Sequence, residues 1–269
     1  MACHVEHGGY GHMSIGALPQ IVIVHGAGGA IGAAVAQKFA TRGARLFLAG
    51  RHVDAVEATA ERLRASTSVP VDVAEVDASD ERAVNAHTDA VLAEAGRLDV
   101  LLNAVGIPLV QGVPLLEISL DDVLAPSQAW LRTQFLTARA AARHMTRQGS
   151  GTILTLSASP ARASIAGVGG FAAACAAVEA LTRTFAAEVG PAGVRVVCLR
   201  PQRILETIGD TPDLPMPIDE FTEFLASLTT SRSLPTLAEV ASMAVFLAEG
   251  GARSMNGAVV NLTCGMSPD

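Results

Sequence analysis

The chain has 269 residues, of which 50% are hydrophobic and 17% are charged, so it can bury a substantial core and does not have the composition of a disordered protein. Its net charge of −7 argues against general nucleic-acid binding, because neutralising phosphates requires a basic surface. No apolar run approaches the roughly 18 residues of a membrane span, so no membrane association is expected. Four scattered cysteines without metal-ligand spacing predict a reduced cytoplasmic protein with no metal site.

The first 18 residues differ in composition from the rest of the chain. They are rich in glycine and histidine, and they lack the basic start and apolar run of a signal peptide. We therefore expect a flexible leader over 1–18, followed by one domain over 19–269.

Beyond the leader, short apolar segments alternate with amphipathic ones. The predicted strands are 21–24, 45–49, 71–76, 98–102, 152–156, 194–199 and 258–262. The predicted helices are 30–39, 54–65, 81–95, two segments separated near Pro126 of which the second is 127–145, then 170–189, 220–228 and 236–248. Strands that alternate with helices predict a doubly wound parallel sheet of about seven strands, with helices on both faces. The region 204–234, rich in Pro, Thr and Asp, is predicted to be a mobile flap around one short helix.

The first predicted strand runs directly into a glycine-rich turn. Gly26, Gly28 and Gly29 follow four β-branched residues, and a helix of small residues begins near Ala30. A strand, a glycine turn and a helix start form an anion site, because backbone N–H groups and the helix dipole then face a phosphate. Gly32, one turn into the helix, would allow close packing on the sheet. The alternative is a tight connection that binds no ligand.

Six motifs occur in the order found in the short-chain dehydrogenase/reductase family, in its β-ketoacyl-reductase-like branch. They are H-G-A-G-G-A-I-G at 25–32, V-D-A-S-D at 76–80, N-A-V-G at 103–106, G-T-I-L-T-L-S at 151–157, G-V-R-V-V-C-L-R-P at 193–201 and the helix at 238–248. The chain resembles that family over about 20–266, which implies a Rossmann-type fold that binds a nicotinamide dinucleotide.

The resemblance also implies which residues contact the dinucleotide. The matching positions are Gly26, Gly28, Gly29, Ile31, Gly32, Arg51, Asp77, Ala78, Asn103, Ala104, Gly106 and Thr207. An acidic residue just after the second strand would favour NAD, but Arg51 stands there, and a guanidinium can pair with the 2′-phosphate of NADP(H). The alternative is that Arg51 is only a solvated surface charge.

The family's four catalytic positions carry other residues in this chain. Its asparagine, serine, tyrosine and lysine correspond to Trp130, Ala158, Phe171 and Cys175. A slip of one residue could restore a serine through Ser157 or Ser159. It cannot restore the tyrosine and lysine, because the single tyrosine is Tyr10 and no lysine occurs besides Lys38. We therefore assign no catalytic residue.

Three functions fit these observations. The first is an NADP(H)-binding oxidoreductase-like protein whose redox activity on a small molecule is weak or atypical. The second is a catalytically inactive scaffold subunit, paired with an active relative, and the third is a lyase or isomerase that reuses the pocket. Relatives commonly form dimers or tetramers through the helices that match 127–145 and 170–189, so a homo-oligomer is expected.

Overall fold

A computed structural model describes residues 19–209 and 216–267 and contains one parallel sheet. Its seven strands are β1 (Ile21–His25), β2 (Arg45–Gly50), β3 (Val71–Glu75), β4 (Val100–Asn103), β5 (Gly151–Leu156), β6 (Val194–Pro201) and β7 (Val259–Leu262). The spatial order is β3-β2-β1-β4-β5-β6-β7, so the winding direction reverses between β1 and β4. In such sheets, ligands bind beyond the carboxyl ends of the strands at that reversal.

Helices cover both faces of the sheet, as predicted. They are α1 (Ala30–Ala40), α2 (Val53–Ser66), α3 (Glu81–Ala95), α4 (Leu120–Gln148), α5 (Phe171–Val189), α6 (Ile218–Ser227) and α7 (Leu237–Ala248). One core lies under α1, α2 and α7 and includes Phe39, Leu63 and Val245. The opposite core lies under α3, α4 and α5 and includes Met145 and Phe185. The predicted doubly wound architecture is therefore confirmed.

The prediction of two helical segments separated near Pro126 was wrong. One helix, α4, runs through this proline, which is buried. Proline removes a single backbone hydrogen bond and crowds the carbonyl four residues earlier, so it bends a helix more readily than it ends one when packing holds both sides. Here the carbonyl of Val123 lies so close to Gly170 that no side chain would fit between them, so the first turns of α4 are held against the start of α5.

Two predicted segments fall partly or wholly outside the description. The leader 1–18 lies outside the described residues, as do 210–215 within the predicted flap. The short helix predicted at 220–228 is present as α6. Among the described residues, no helix is long and apolar enough to cross a membrane.

Candidate functional site

The glycine turn, residues 26–32, connects β1 to α1 at the reversal in strand order. Gly26 has φ of +78°, and a Cβ placed on it would lie 2.5 Å from the carbonyl oxygen of Ala104. A Cβ on Gly32 would collide with the Gly26 carbonyl. The Gly26 N–H donates to Ala49 O at 2.8 Å, and Ala104 N–H donates to His25 O at 2.9 Å. The turn is therefore fixed between the ends of three strands, and only glycine fits its two crowded positions.

The outer part of the glycine turn is open and uncapped. Gly28 and Gly29 are exposed, and Ile31 is partly exposed. The residue before α1, Gly29, makes no side-chain cap, and the first helical turn carries no acidic residue. The first N–H groups of a helix need an outside acceptor, and the positive end of the helix dipole favours an anion. This part of the turn can therefore receive a phosphate group of a dinucleotide.

Arg51 and Asp77 lie at the neighbouring ends of β2 and β3. These ends are held together because Val76 N–H donates to Gly50 O at 3.1 Å. Asp77 Oδ1 accepts 2.8 Å hydrogen bonds from the backbone N–H and the hydroxyl of Ser79. The backbone bond from Ser79 is the main reason that the pKa of Asp77 lies below its usual value, and the charges of Arg51 and Arg132 add to the effect. Ala78, beside Asp77, is buried.

Asn103, at the end of β4, has a structural role in its turn. Its side-chain NH₂ donates to Thr137 Oγ1 at 2.9 Å, and its side-chain oxygen accepts from Val105 N–H at 3.0 Å. Gln134 donates to the Asn103 backbone carbonyl at 3.3 Å. The Asn103 amide therefore shapes the backbone that follows it. Gly106, further along, is exposed, and a Cβ added to it would meet no atom within 4 Å apart from its chain neighbours.

The segment after β6 contributes Thr207 and Gln202 to the same edge of the sheet. Thr207 ends the 3-10 turn Leu205–Thr207, and its hydroxyl donates to Ile204 O at 2.8 Å. Gln202 is buried, accepts from the hydroxyl of Ser159 and donates to the sulfur of Met266. It therefore ties the end of β5 to the carboxyl-terminal segment.

Trp130, Ala158, Phe171 and Cys175 form one apolar cluster, although three different elements carry them. The rings of Trp130 and Phe171 are stacked, with centroids 5.5 Å apart and planes 21° from parallel. The indole N–H of Trp130 is buried and has no acceptor among the described residues. Burial raises the pKa of the Cys175 thiol to about 12, so this thiol is neutral at pH 7. We call these four residues the apolar cluster.

The two serines that flank Ala158 are both occupied elsewhere. Ser157 Oγ donates to Glu179 Oε1 at 3.0 Å, and Ser159 donates to Gln202. Glu179 also pairs with Arg200 at 3.4 Å, and both side chains are almost fully buried. Sequence reasoning missed this buried ion pair. Two features of the sequence could have indicated it. Glu179 follows Cys175 by one helical turn, and Arg200 lies within an apolar strand.

His25, the last residue of β1, packs against His87 of α3. The ring centroids are 5.6 Å apart and the rings are nearly perpendicular. Burial, and then the charge of His87, lower the pKa of His25 to about 3, and burial lowers the pKa of His87 to about 4. Both imidazoles are therefore neutral at pH 7. The pairing itself was not predicted, because nothing in the sequence links the two positions.

Comparisons with known proteins find a family model and relatives that match most of this chain. A family model described as enoyl-(acyl carrier protein) reductase matches residues 26–267. The D-threitol dehydrogenase of Mycolicibacterium smegmatis is 31% identical over 240 residues, which cover 89% of each chain. The chain belongs to the short-chain dehydrogenase/reductase family.

Other members of this short-chain dehydrogenase/reductase family are similar along nearly the whole chain. The short-chain reductase protein NovJ of Streptomyces niveus is 31% identical over 258 residues, covering 91% of this chain and 93% of the relative. A short-chain type dehydrogenase/reductase structure from Mycobacterium ulcerans superposes with a TM-score of 0.83 at 25% identity, covering 92% of this chain and 89% of the other.

Proposed function

We propose that this short-chain dehydrogenase/reductase binds NADP(H) and that its redox activity is weak or atypical, because the family's tyrosine and lysine are replaced. The glycine turn and Arg51 would hold the phosphates. Asp77, Ala78, Asn103, Ala104, Gly106 and Thr207 are the remaining expected cofactor contacts. A bound nicotinamide would supply or accept a hydride.

The residues present fit the phosphate-bearing half of such a cofactor. The crowded glycines at positions 26 and 32 keep the backbone of the turn in one conformation, and the uncapped start of α1 supplies donors. The half that would carry the nicotinamide fits less well. The neutral Cys175 thiol, at the lysine's position, offers neither a positive charge nor the donors of an ammonium group.

The observation that carries this proposal is the packing of the apolar cluster. Its four residues come from the positions that match the family's tetrad, and they gather at one place without an ionisable group that could give up a proton at pH 7. Loss of one general acid costs on the order of 10²- to 10⁴-fold in rate. Groups that act as a unit fail together, so we expect very little ordinary ketone reduction.

Several relatives are named as redox enzymes, which supports an oxidoreductase ancestry for this chain. They include the D-threitol dehydrogenase above and a 3-oxoacyl-[acyl-carrier-protein] reductase of Chlamydia trachomatis, 29% identical over 248 residues. The names describe substrates as different as a polyol and a carrier-bound ketone, so they do not identify a substrate here.

Calorimetric titration of the purified protein with NADPH and NADH tests the binding half of the proposal. We expect NADPH to bind more tightly than NADH, and we expect Arg51→Ala to remove that preference. Failure of both nucleotides to bind at millimolar concentration would overturn it.

The chemical half of the proposal is tested by NADPH oxidation with a panel of ketones, in the native protein and in a variant carrying Ala158→Ser, Phe171→Tyr and Cys175→Lys. Turnover in the native protein at rates typical of enzymes would contradict the proposed loss.

A catalytically inactive scaffold subunit is the second candidate. The stacking of Trp130 on Phe171 favours it, because two packed rings at the positions that match the family's asparagine and tyrosine supply no general acid. A non-redox enzyme that binds an apolar ligand is the third. Tight NADPH binding without turnover would favour the scaffold, and turnover without any nucleotide would favour the lyase or isomerase.

The expected homo-oligomer remains part of the proposal. Its expected interface, α4 and α5, carries Phe135 with 39% of its surface exposed. Sedimentation analysis of the native protein and of Phe135→Glu would test it, since a charge placed in a buried interface should dissociate the assembly. A protein that sediments as a monomer at micromolar concentration would contradict it.

A further inference from the structure

A second arginine, Arg132 of α4, reaches the turn that holds Asp77. Its Nε donates to the backbone carbonyl of Ser79 at 2.6 Å, and Ser79 in turn donates twice to Asp77. The side chain is exposed, and its terminal amino groups make no hydrogen bond to any described residue. A guanidinium anchored through Nε keeps its outer fork available for a planar or tetrahedral anion.

Arg51 stands at the end of β2, which the hydrogen bond from Val76 N–H to Gly50 O holds beside the turn that contains Asp77. It follows β2 directly, is exposed, and forms no hydrogen bond with a described residue. Its charge and that of Arg132 both act on Asp77. Both arginines therefore lie near one acidic side chain, although they belong to elements far apart in sequence.

The start of α2 lies beside Arg51 and the glycine turn. The residue before this helix, His52, makes no side-chain cap, and α2 has 14 residues. A Cβ on Gly28 of the glycine turn would lie 2.9 Å from Ala55, so α2 begins immediately beside the expected phosphate site. The first turn of α2 carries Asp54, and the N–H groups of Ala55 and Val56 already donate to His52 O, so a positive charge for an anion here has to come from arginine side chains.

The charges decide what this arrangement can bind. Arg51 alone is offset by Asp77, which leaves no net positive charge for an anion. Arg132 turns the group into one with a single positive charge. A phosphate monoester carries about −1.5 to −2 at pH 7, so it needs that second guanidinium more than a ribose hydroxyl would.

We propose that Arg132 and Arg51 together form a two-arginine clamp for the 2′-phosphate of NADP(H), and that Arg132 helps to set the nucleotide preference. This inference rests on the proposed function, since it assigns one phosphate of the proposed cofactor. The clamp adds Arg132 of α4 to the expected phosphate contacts, which otherwise come from the glycine turn and the end of β2.

The test compares ligands that differ by the phosphate alone. Calorimetry on the native protein and on Arg132→Ala would use NADPH and NADH, and the fragments 2′-AMP and adenosine. Hydrogen bonds to charged groups contribute enough for about a tenfold or larger change in Kd. We expect Arg132→Ala to raise the Kd for NADPH and 2′-AMP by about tenfold, and to change the Kd for NADH and adenosine less than twofold.

Two further variants separate the clamp from a general charge effect. Arg132→Lys keeps the charge but loses the planar fork, so about a threefold weakening for NADPH is expected. Arg143→Ala removes an exposed positive charge three turns further along α4, and at 0.15 M salt its effect should be below twofold. Circular dichroism would establish that each variant is folded.

The outcomes distinguish this inference from the proposed function. If Arg51→Ala removes the NADPH preference while Arg132→Ala leaves the Kd for NADPH unchanged, the clamp is wrong and the proposed function stands. Equal weakening of NADPH and NADH by Arg132→Ala would also overturn the clamp, because it would indicate contact with the adenine or a structural role. If the native protein binds NADH as tightly as NADPH, the clamp and the proposed NADP(H) specificity both fail.

Discussion

The glycine turn and the apolar cluster stand at the same edge of one sheet, yet they are built in opposite ways. The glycine turn has almost no side chains and presents backbone N–H groups at the uncapped start of α1. The apolar cluster consists of side chains that pack against one another, with Trp130 and Cys175 buried. Under the proposed function the glycine turn holds the cofactor phosphates, whereas ordinary ketone reduction at the apolar cluster would require different side chains.

This contrast separates a site that is fixed by its backbone from one that is formed by side chains. The conformation of the glycine turn is tied to folding, since Gly26 and Gly32 fill crowded positions between three strands and α1. The apolar cluster is instead held by contacts between its side chains. The indole N–H of Trp130 is a buried polar atom in it that has no acceptor among the described residues.

The largest expected effect concerns Trp130, and it tests whether the apolar cluster is a packed core. Trp130→Ala should lower the free energy of unfolding by about 4 kcal/mol, because a large buried ring leaves a cavity that the neighbours cannot fill. Urea unfolding followed by circular dichroism measures this change. Phe246→Ala, at an aromatic side chain of α7 that is 48% exposed, is the control and should cost about 1 kcal/mol.

A loss no greater than that of the control would contradict this view of the cluster. It would indicate that Trp130 lines an open pocket, and the non-redox or ligand-binding candidates would then gain support. The contrast between the two regions would be reduced, because both would be open to a ligand.

The second effect concerns the buried pair His25 and His87, which lies beneath the glycine turn. Unfolded imidazoles titrate near pH 6.5, whereas the folded pKa values are about 3 and about 4. Between pH 6.5 and the folded pKa values, the unfolded chain binds more protons than the folded chain. The stability of the folded chain is therefore complete above pH 6.5, and part of it is lost as the pH falls towards 4. Going from pH 7 to pH 5 should cost about 3.5 kcal/mol from the two groups together.

The double variant His25→Thr and His87→Leu supplies the measurement that checks this pH dependence. Its free energy of unfolding should change much less between pH 7 and pH 5 than that of the native protein. If native and variant proteins lose stability in parallel over this range, other groups are responsible and the pair is not buried as described.

Most of the fold could be predicted from the sequence because each element carries its own signal. The β-branched run at β1 and the amphipathic segment 81–95 are local features, and the structure has a strand and a helix where they were predicted. Pro126 is the instructive exception. Its local preference for a helix end is overridden by packing of the first turns of α4 against the start of α5, which no local pattern reveals.

The candidate site could be predicted only where it is contiguous in the chain. The glycine turn lies within one short segment, so its members could be named together. The pairs Glu179–Arg200 and His25–His87 join elements that are distant in sequence, and a single sequence carries no record of such pairing. Arg132 was missed for the same reason, since its partner Ser79 lies on the other side of β4 in the chain.

The smallest expected effect tests the glycine turn as a binding surface. A Cβ on Gly28 would lie 2.9 Å from Ala55 and would stand where the phosphate is expected, so Gly28→Ala should raise the Kd for NADPH about tenfold, or about 1.4 kcal/mol. The exposed Gly250, whose Cβ would meet nothing closer than 3.9 Å, provides the matched control through Gly250→Ala. Calorimetry should show native affinity for the control. Native affinity in Gly28→Ala as well would mean that no phosphate approaches this turn. The glycine turn would then not differ from the apolar cluster as a binding surface for the cofactor.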